Sequence, residues 1–254
     1  GTDIHAPIVI SNAGVFNTFN RLLPAATVDK TAYPRQLAQV KPSMASLCLY
    51  IGLKDSSENL QLPKTNLWIY PSENYEQSIK AFLQDAEQEF PLVYISFPSA
   101  KDPSFNARYP DRATIEIVAP CPWEWVEKWA DKPWGKRGDD YDTLKEQFSQ
   151  RLLEKLYQKM PHLRGKVDYY ELSTPLSTQF FCWYDKGEIY GLDHDPKRFE
   201  QTWLRPKTSI EGLYLTGQDI MTCGVVGAMI GGLMTTVSVA GVKALPLAKK
   251  IFVG

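Results

Sequence analysis

The apolar positions of the chain repeat with a period near two in its first half and near 3.6 in several later stretches. Near the start, Ile8-Val9-Ile10 forms an apolar run that stops at Ser11-Asn12, which predicts a buried strand ending in a turn. After Ala13-Gly14, the residues Val15, Phe16, Phe19, Leu22 and Leu23 make a helical stripe closed by Pro24. Strands are expected over 47–53, 67–70, 92–97 and 114–119, where apolar and polar residues alternate. A helix over 75–90 interrupts them, with Ile79, Phe82, Leu83, Ala86 and Phe90 on one face. These elements predict a mixed sheet covered by helices, in the α/β (mixed α+β) class.

Pro120, Pro122 and Pro133 bracket Trp123, Trp125, Trp129 and Trp134, so this stretch reads as packed and irregular, either core filling or an aromatic wall for an apolar ligand. Over 140–160, Tyr141, Leu144, Phe148, Leu152, Leu156 and Met160 recur every three or four positions, and Pro161 ends that helix. Thr174-Pro175 is the signature of an N-cap followed by proline at the first helical position, which predicts a short helix to about Phe181. Residues 187–191 are expected to form a turn and a strand.

Residues 220–242 carry no charge. At about 1.5 Å per residue the run is long enough to span a bilayer. Its composition argues for a buried helix instead: Gly224, Gly227, Gly231, Gly232 and Gly241, together with hydroxyl residues, leave few large aliphatic groups for lipid. The preceding segment, Gly212-Leu-Tyr-Leu-Thr-Gly-Gln-Asp219, is a short strand followed by a glycine turn. That order brings a carboxylate and the free amides of a helix start to one place, suited to a flavin's pyrimidine carbonyl and ribityl hydroxyls. Glycines at 224 and 227 would let a flat ring approach the backbone. Asp219 as a plain helix-cap residue is the competing reading.

Hydrophobic residues make up 44% and charged residues 22% of the 254 positions, as in an ordinary globular protein with a large core. The net charge of −1, without a long basic run, leaves nucleic acid no electrostatic footing. Cys48, Cys121, Cys182 and Cys223 are widely spaced, with no CxxC, and read as reduced core thiols in a reducing, cytoplasmic compartment. No metal site is expected; His194, between Asp193 and Asp195, reads as a surface loop. The N-terminus does not read as a signal peptide. No Gly-x-Ser-x-Gly occurs to seat a hydrolase nucleophile, and Gly135, Gly138 and Gly165 lack the lysine-serine pair of a phosphate loop.

The segment from Gly212 to Asp219, with Gly224-Val-Val-Gly-Ala228, resembles the C-terminal FAD motif of the phytoene-desaturase, carotenoid-isomerase and retinol-saturase family. Val9-Ile-Ser-Asn-Ala13, Ser173-Thr-Pro-Leu176 and Ile189-Tyr-Gly-Leu192 resemble the same group, and the stretch from Asn12 to Phe19 leans toward its retinol-reductase and isomerase members. The resemblance implies that Gly217 and Asp219 meet the ribityl and phosphate region, and that Val225 and Val226 lie near the flavin ring. It places Tyr190 and Gly191 on the substrate side, and Asn12 and Ala13 at the junction of two domains.

It also implies an oxidoreductase that saturates, desaturates or isomerises an apolar polyene. The expected divisions are a strand and turn of the FAD domain at 1–14, a substrate domain at 15–205 and an FAD-contacting segment at 206–254. The family's GxGxxG is absent from these residues, so the chain is expected to lack the N-terminal FAD-binding half, to bind FAD weakly or not at all and to be inactive alone. That half would be its partner. Peripheral membrane contact through 245–253, which includes Lys249 and Lys250, is left open. A non-catalytic apolar-ligand or interaction module and a flavin amine oxidase are the alternatives.

Overall fold

The computed structural model describes residues 1–244 and Pro246. Gly1–Ser43 together with Ile189–Gly254 form one compact unit, and Met44–Glu188 form a second. The expected divisions after 14 and 205 both fall inside the first unit. There Val15, Phe19, Leu192 and Leu204 share one apolar cluster with Leu213 and Leu215.

The first unit opens with β1 (Val9–Ser11) and α1 (Val15–Asn17), which continues as a π turn over Thr18–Leu22. The chain then builds the second unit from β2 (Ser46–Leu53), β3 (Leu67–Ile69), α2 (Tyr75–Gln84), β4 (Val93–Ser96), β5 (Ala113–Pro120), α3 (Asp139–Lys159), β6 (Val167–Ser173) and α4 (Pro175–Cys182). Returning to the first unit, it adds the short helix Pro196–Phe199, β7 (Leu213–Leu215) and α5 (Gly224–Ala240).

In the second unit the strands lie in the order β3-β4-β5-β2-β6, and every pair is antiparallel. The expected mixed sheet is therefore corrected. Antiparallel sheets tolerate solvent on one face, and the alternation that marked these strands is that asymmetry. Leu49, Ile51, Ile95, Ile115 and Ile117, on the inner face, are at most 2% exposed. Each such side chain contributes roughly 1.5–3 kcal/mol by leaving water. Helix α3 contacts β4 and β6, and its Phe148, Leu152 and Leu156 join the core. Acidic Asp139, Asp140 and Asp142 occupy its first turn, where the helix dipole favours them.

The opposite face of the sheet is open. Cross-strand register puts Cys48, Tyr50, Trp68, Tyr94, Val118 and Tyr169 there. Tyr50, Trp68 and Tyr169 are exposed, and the Trp68 and Tyr94 rings lie 4.7 Å apart.

Helix α4 starts as its sequence predicts. The Thr174 hydroxyl accepts the Leu176 N–H at 3.2 Å, and the Ser177 hydroxyl accepts the Thr174 N–H at 3.2 Å. Three expectations change here. Helix α2 stops at Gln84 because Asp85 turns its backbone extended and its carboxylate accepts the Glu87 N–H. Strand β6 has no counterpart in the sequence reading, its paired Tyr169-Tyr170 having hidden the alternation. At 187–191 there is a turn and an isolated pairing of Glu188 with Ala45 rather than a strand.

Trp123 and Trp129 are buried and Trp125 packs on Phe82 and Phe148, so three of the four indoles fill the core. Trp134 instead stacks on Phe180 at 5.0 Å, with 43% of its surface exposed. Of the four cysteines expected in the core, only Cys121 is buried: Cys48 sits on the open sheet face, Cys182 is exposed at the end of α4, and Cys223 precedes α5.

In the first unit β1 pairs with β7 in parallel, Val9 opposite Leu213 and Ser11 opposite Leu215. The expectation that β1 is buried does not hold: Val9 is 54% and Ile10 50% exposed, because among the described residues this sheet has two strands. Among the described residues no helix is long and apolar enough to cross a membrane. Apart from Pro246, the 245–253 stretch lies outside the described residues.

Candidate functional site

Strand β7 delivers the chain to a tight turn. The Thr216 N–H donates to the Ser11 carbonyl at 2.9 Å, and Gly217 then takes φ 91°. A Cβ at Gly217 would stand 2.0 Å from Asn12 Oδ1, so glycine is needed both for the backbone angle and for the closure of Asn12 on the turn.

The next turn, Gln218–Ile220, carries Asp219, which is 4% exposed. Its Oδ2 accepts the Val15 N–H at 2.8 Å, and its Oδ1 accepts the Leu192 N–H at 3.1 Å. One carboxylate thus ties three distant segments together. Burial pushes the Asp219 carboxyl up from its ordinary value, against the pull of those amides and of Arg198 and His194. Gly191 makes room for it: a Cβ there would fall 2.1 Å from Asp219 Oδ1.

Two side chains from the 193–199 segment secure the far side of the turn. Arg198, 4% exposed, donates to the carbonyls of Gln218, Asp219 and Met221 at 2.9, 3.0 and 2.9 Å. Asp195 caps the short helix that carries it, accepting the Arg198 N–H at 2.9 Å. His194 Nε2 accepts the Cys223 N–H at 2.7 Å. Burial and Arg198 pull the His194 pKa down from 6.5. His194 lies in a loop, as expected, with its ring half-buried against the backbone it serves.

Helix α5 begins at Gly224 with Cys223 as N-cap and no side-chain cap. Its glycines press it onto the turn: a Cβ at Gly231 would come 2.3 Å from the Gly217 carbonyl oxygen, and one at Gly227 2.0 Å from that of Thr222. The Thr235 hydroxyl, 2.8 Å from the Leu215 carbonyl oxygen, fixes the helix against β7. Close approach is thus the use of Gly227 and Gly231, and the chain itself is what approaches. The helix start is otherwise free. Nothing lies within 4 Å of a Cβ built on Gly224, and Val225 is 86% and Val226 64% exposed.

All eight sequence-derived positions, Asn12, Ala13, Tyr190, Gly191, Gly217, Asp219, Val225 and Val226, lie in the first unit. Asn12 with Gly217, and Gly191 with Asp219, are in direct contact. Val225 and Val226 crown the open helix start, Ala13 is half-buried and Tyr190 is 40% exposed. Asp219 does not serve as a helix cap. Sequence reasoning missed Arg198 and the role of His194. The only local signal was Asp195-Pro196, a helix start that places both beside the turn.

No protein-family model matches the chain. Over 239 residues it is 39% identical to the all-trans-retinol 13,14-reductase of Rattus norvegicus and 38% identical to that of Homo sapiens. The chain is a homologue of the all-trans-retinol 13,14-reductases. More distant likeness, at 27% and 26% identity, reaches a phytoene desaturase of Neurospora crassa and the chloroplastic prolycopene isomerase of Arabidopsis thaliana. The alignment to the two reductases covers 91% of this chain and 39% of each of them, so the chain spans about two fifths of their length.

Proposed function

We propose that the chain is the flavin-side cap and substrate-bearing portion of an FAD-dependent oxidoreductase that saturates, desaturates or isomerises double bonds in carotenoid- or retinoid-like polyenes. The observation that carries this reading is the uncapped, exposed start of α5, set behind a rigid glycine turn, in a homologue of the retinol reductases.

The residues present fit a flavin's polar edge. The first amides of a helix have no partner within it, and here the N-cap Cys223 supplies no side-chain cap, its own N–H being taken by His194. The amides around Val225 and Val226 would hold the ring's carbonyl edge, with Gly217 toward the ribityl chain and Tyr190 and Gly191 on the substrate side. Asp219 contributes by fixing Val15 and Leu192 to the turn, since both its oxygens already accept amides of the chain. Bound FAD would supply hydride transfer to or from the polyene. The protein's share is to orient an apolar chain and exclude water.

The partner in this reading is the dinucleotide-binding half, with Asn12 and Ala13 at the junction. Parallel strands are normally covered on both faces, and a two-stranded parallel pair with Val9 and Ile10 exposed calls for more sheet. Polyene substrates dissolve in lipid, so peripheral membrane contact belongs to the same proposal.

The test uses the full-length flavoprotein under anaerobic conditions. Polyenes are expected to change the flavin's redox state, with all-trans-retinol reoxidising the reduced form or a phytoene-like polyene bleaching the oxidised form, while benzylamine leaves it unchanged. Bleaching by the amine, with polyenes inert, would replace this reading with that of an amine oxidase.

A further inference from the structure

We infer that His194 is a positioning residue for the start of α5, and that it holds that start only while its imidazole is neutral. The inference rests in part on the flavin reading, because it assigns the positioned amides to the same site.

The geometry leaves the ring one assignment. Nε2 lies 2.7 Å from the Cys223 nitrogen, whose N–H is a donor, so Nε2 must present its lone pair and the ring proton must sit on Nδ1. Leu192, two residues before His194, gives its N–H to Asp219 Oδ1, so the carboxylate and the imidazole each hold a backbone amide of this unit. Protonation at Nε2 sets an N–H against the Cys223 N–H, and the contact must open.

Burial is the largest influence and, together with Arg198, disfavours the imidazolium, against the Leu192 backbone, Asp193 and Asp219, which favour it. The Phe199 ring packs edge-on at 6.1 Å and brings no charge. With the folded-state pKa below the ordinary 6.5, the contact's contribution is fully present above that value and is lost as the pH falls through the folded pKa. Burial raises the Asp219 pKa, and a protonated carboxyl would turn an O–H toward the Val15 or Leu192 N–H, so the comparison with His194→Gln, which leaves Asp219 in place, separates the two groups.

The experiment compares wild type with His194→Gln and His194→Ala, by ¹⁵N imidazole shifts and by amide exchange corrected for its intrinsic pH dependence. In wild type the shifts should show the Nδ1–H tautomer at pH 7.5, and protection of the Cys223 amide should fall at least tenfold between pH 7.5 and 5. In His194→Gln, whose carbonyl can accept the same N–H without titrating, protection should stay level; in His194→Ala it should be low at both pH values. An Nε2–H tautomer, or a Cys223 amide indifferent to His194→Ala, overturns the inference. FAD titrated onto full-length protein separates the two readings. Affinity that falls at acid pH in wild type but not in His194→Gln supports both. A pH-dependent Cys223 amide with pH-independent FAD affinity keeps His194's role and removes the flavin from that helix start.

Discussion

Residues 44–188 cohere through one extended apolar core, whereas residues 1–43 with 189–244 add to a smaller apolar cluster a set of polar side chains that answer backbone groups. In the first region a five-stranded sheet lays Leu49, Ile51, Ile115 and Ile117 under a long helix, and shape and area do the work. In the second, one carboxylate, one guanidinium and one imidazole meet amides and carbonyls of Val15, Leu192, Gln218, Asp219, Met221 and Cys223. An apolar core tolerates volume-conserving change, while a backbone clamp fixes position and tolerates almost none. A region that must present helix amides at a defined place gains from the second kind of construction.

The difference predicts unequal sensitivity. The largest effect should come from Gly231→Val, which drives a side chain into the Gly217 carbonyl 2.3 Å from its Cβ. It should cost on the order of 4 kcal/mol or more and abolish amide protection across β7 and α5. Ile117→Ala should cost about 2–4 kcal/mol by urea unfolding, with faster exchange in β2 and β5. If the two substitutions proved equally mild, the contrast between the regions would be lost. Asp219→Asn keeps the shape but turns an amide donor toward one of two N–H groups. It should cost about 2–3 kcal/mol, read as faster exchange at Val15 or Leu192. The smallest effect belongs to Glu154→Gln, which removes the solvent-exposed pair with Arg164 at 2.9 Å and should change stability by less than about 1 kcal/mol.

The same contrast explains what could be read without coordinates. Alternation and helical spacing located β2 to β5 and α3, because side chains carry the packing there and leave their period in the sequence, while α4 was legible from its Thr174-Pro175 start. Strand β6 escaped where two tyrosines blurred the period, and helix α2 was overextended where Asp85 stops it for reasons of hydrogen bonding. The turn from Gly212 to Asp219 was legible as a motif, since only glycine serves at Gly217. Arg198 and His194 were not legible, because each speaks to backbone 20 to 29 residues away, and a backbone partner writes no residue type into the sequence.

In the flavin reading proposed above, the amides at the start of α5 face the cofactor. Val225→Glu tests it most directly, because a carboxylate in the first turn of a helix favours the helix itself while placing negative charge against a carbonyl-bearing ligand. Measured on full-length protein by flavin fluorescence, the substitution should weaken FAD binding at least tenfold with the melting temperature unchanged or slightly raised. An unchanged FAD Kd in a folded Val225→Glu protein would contradict the claim.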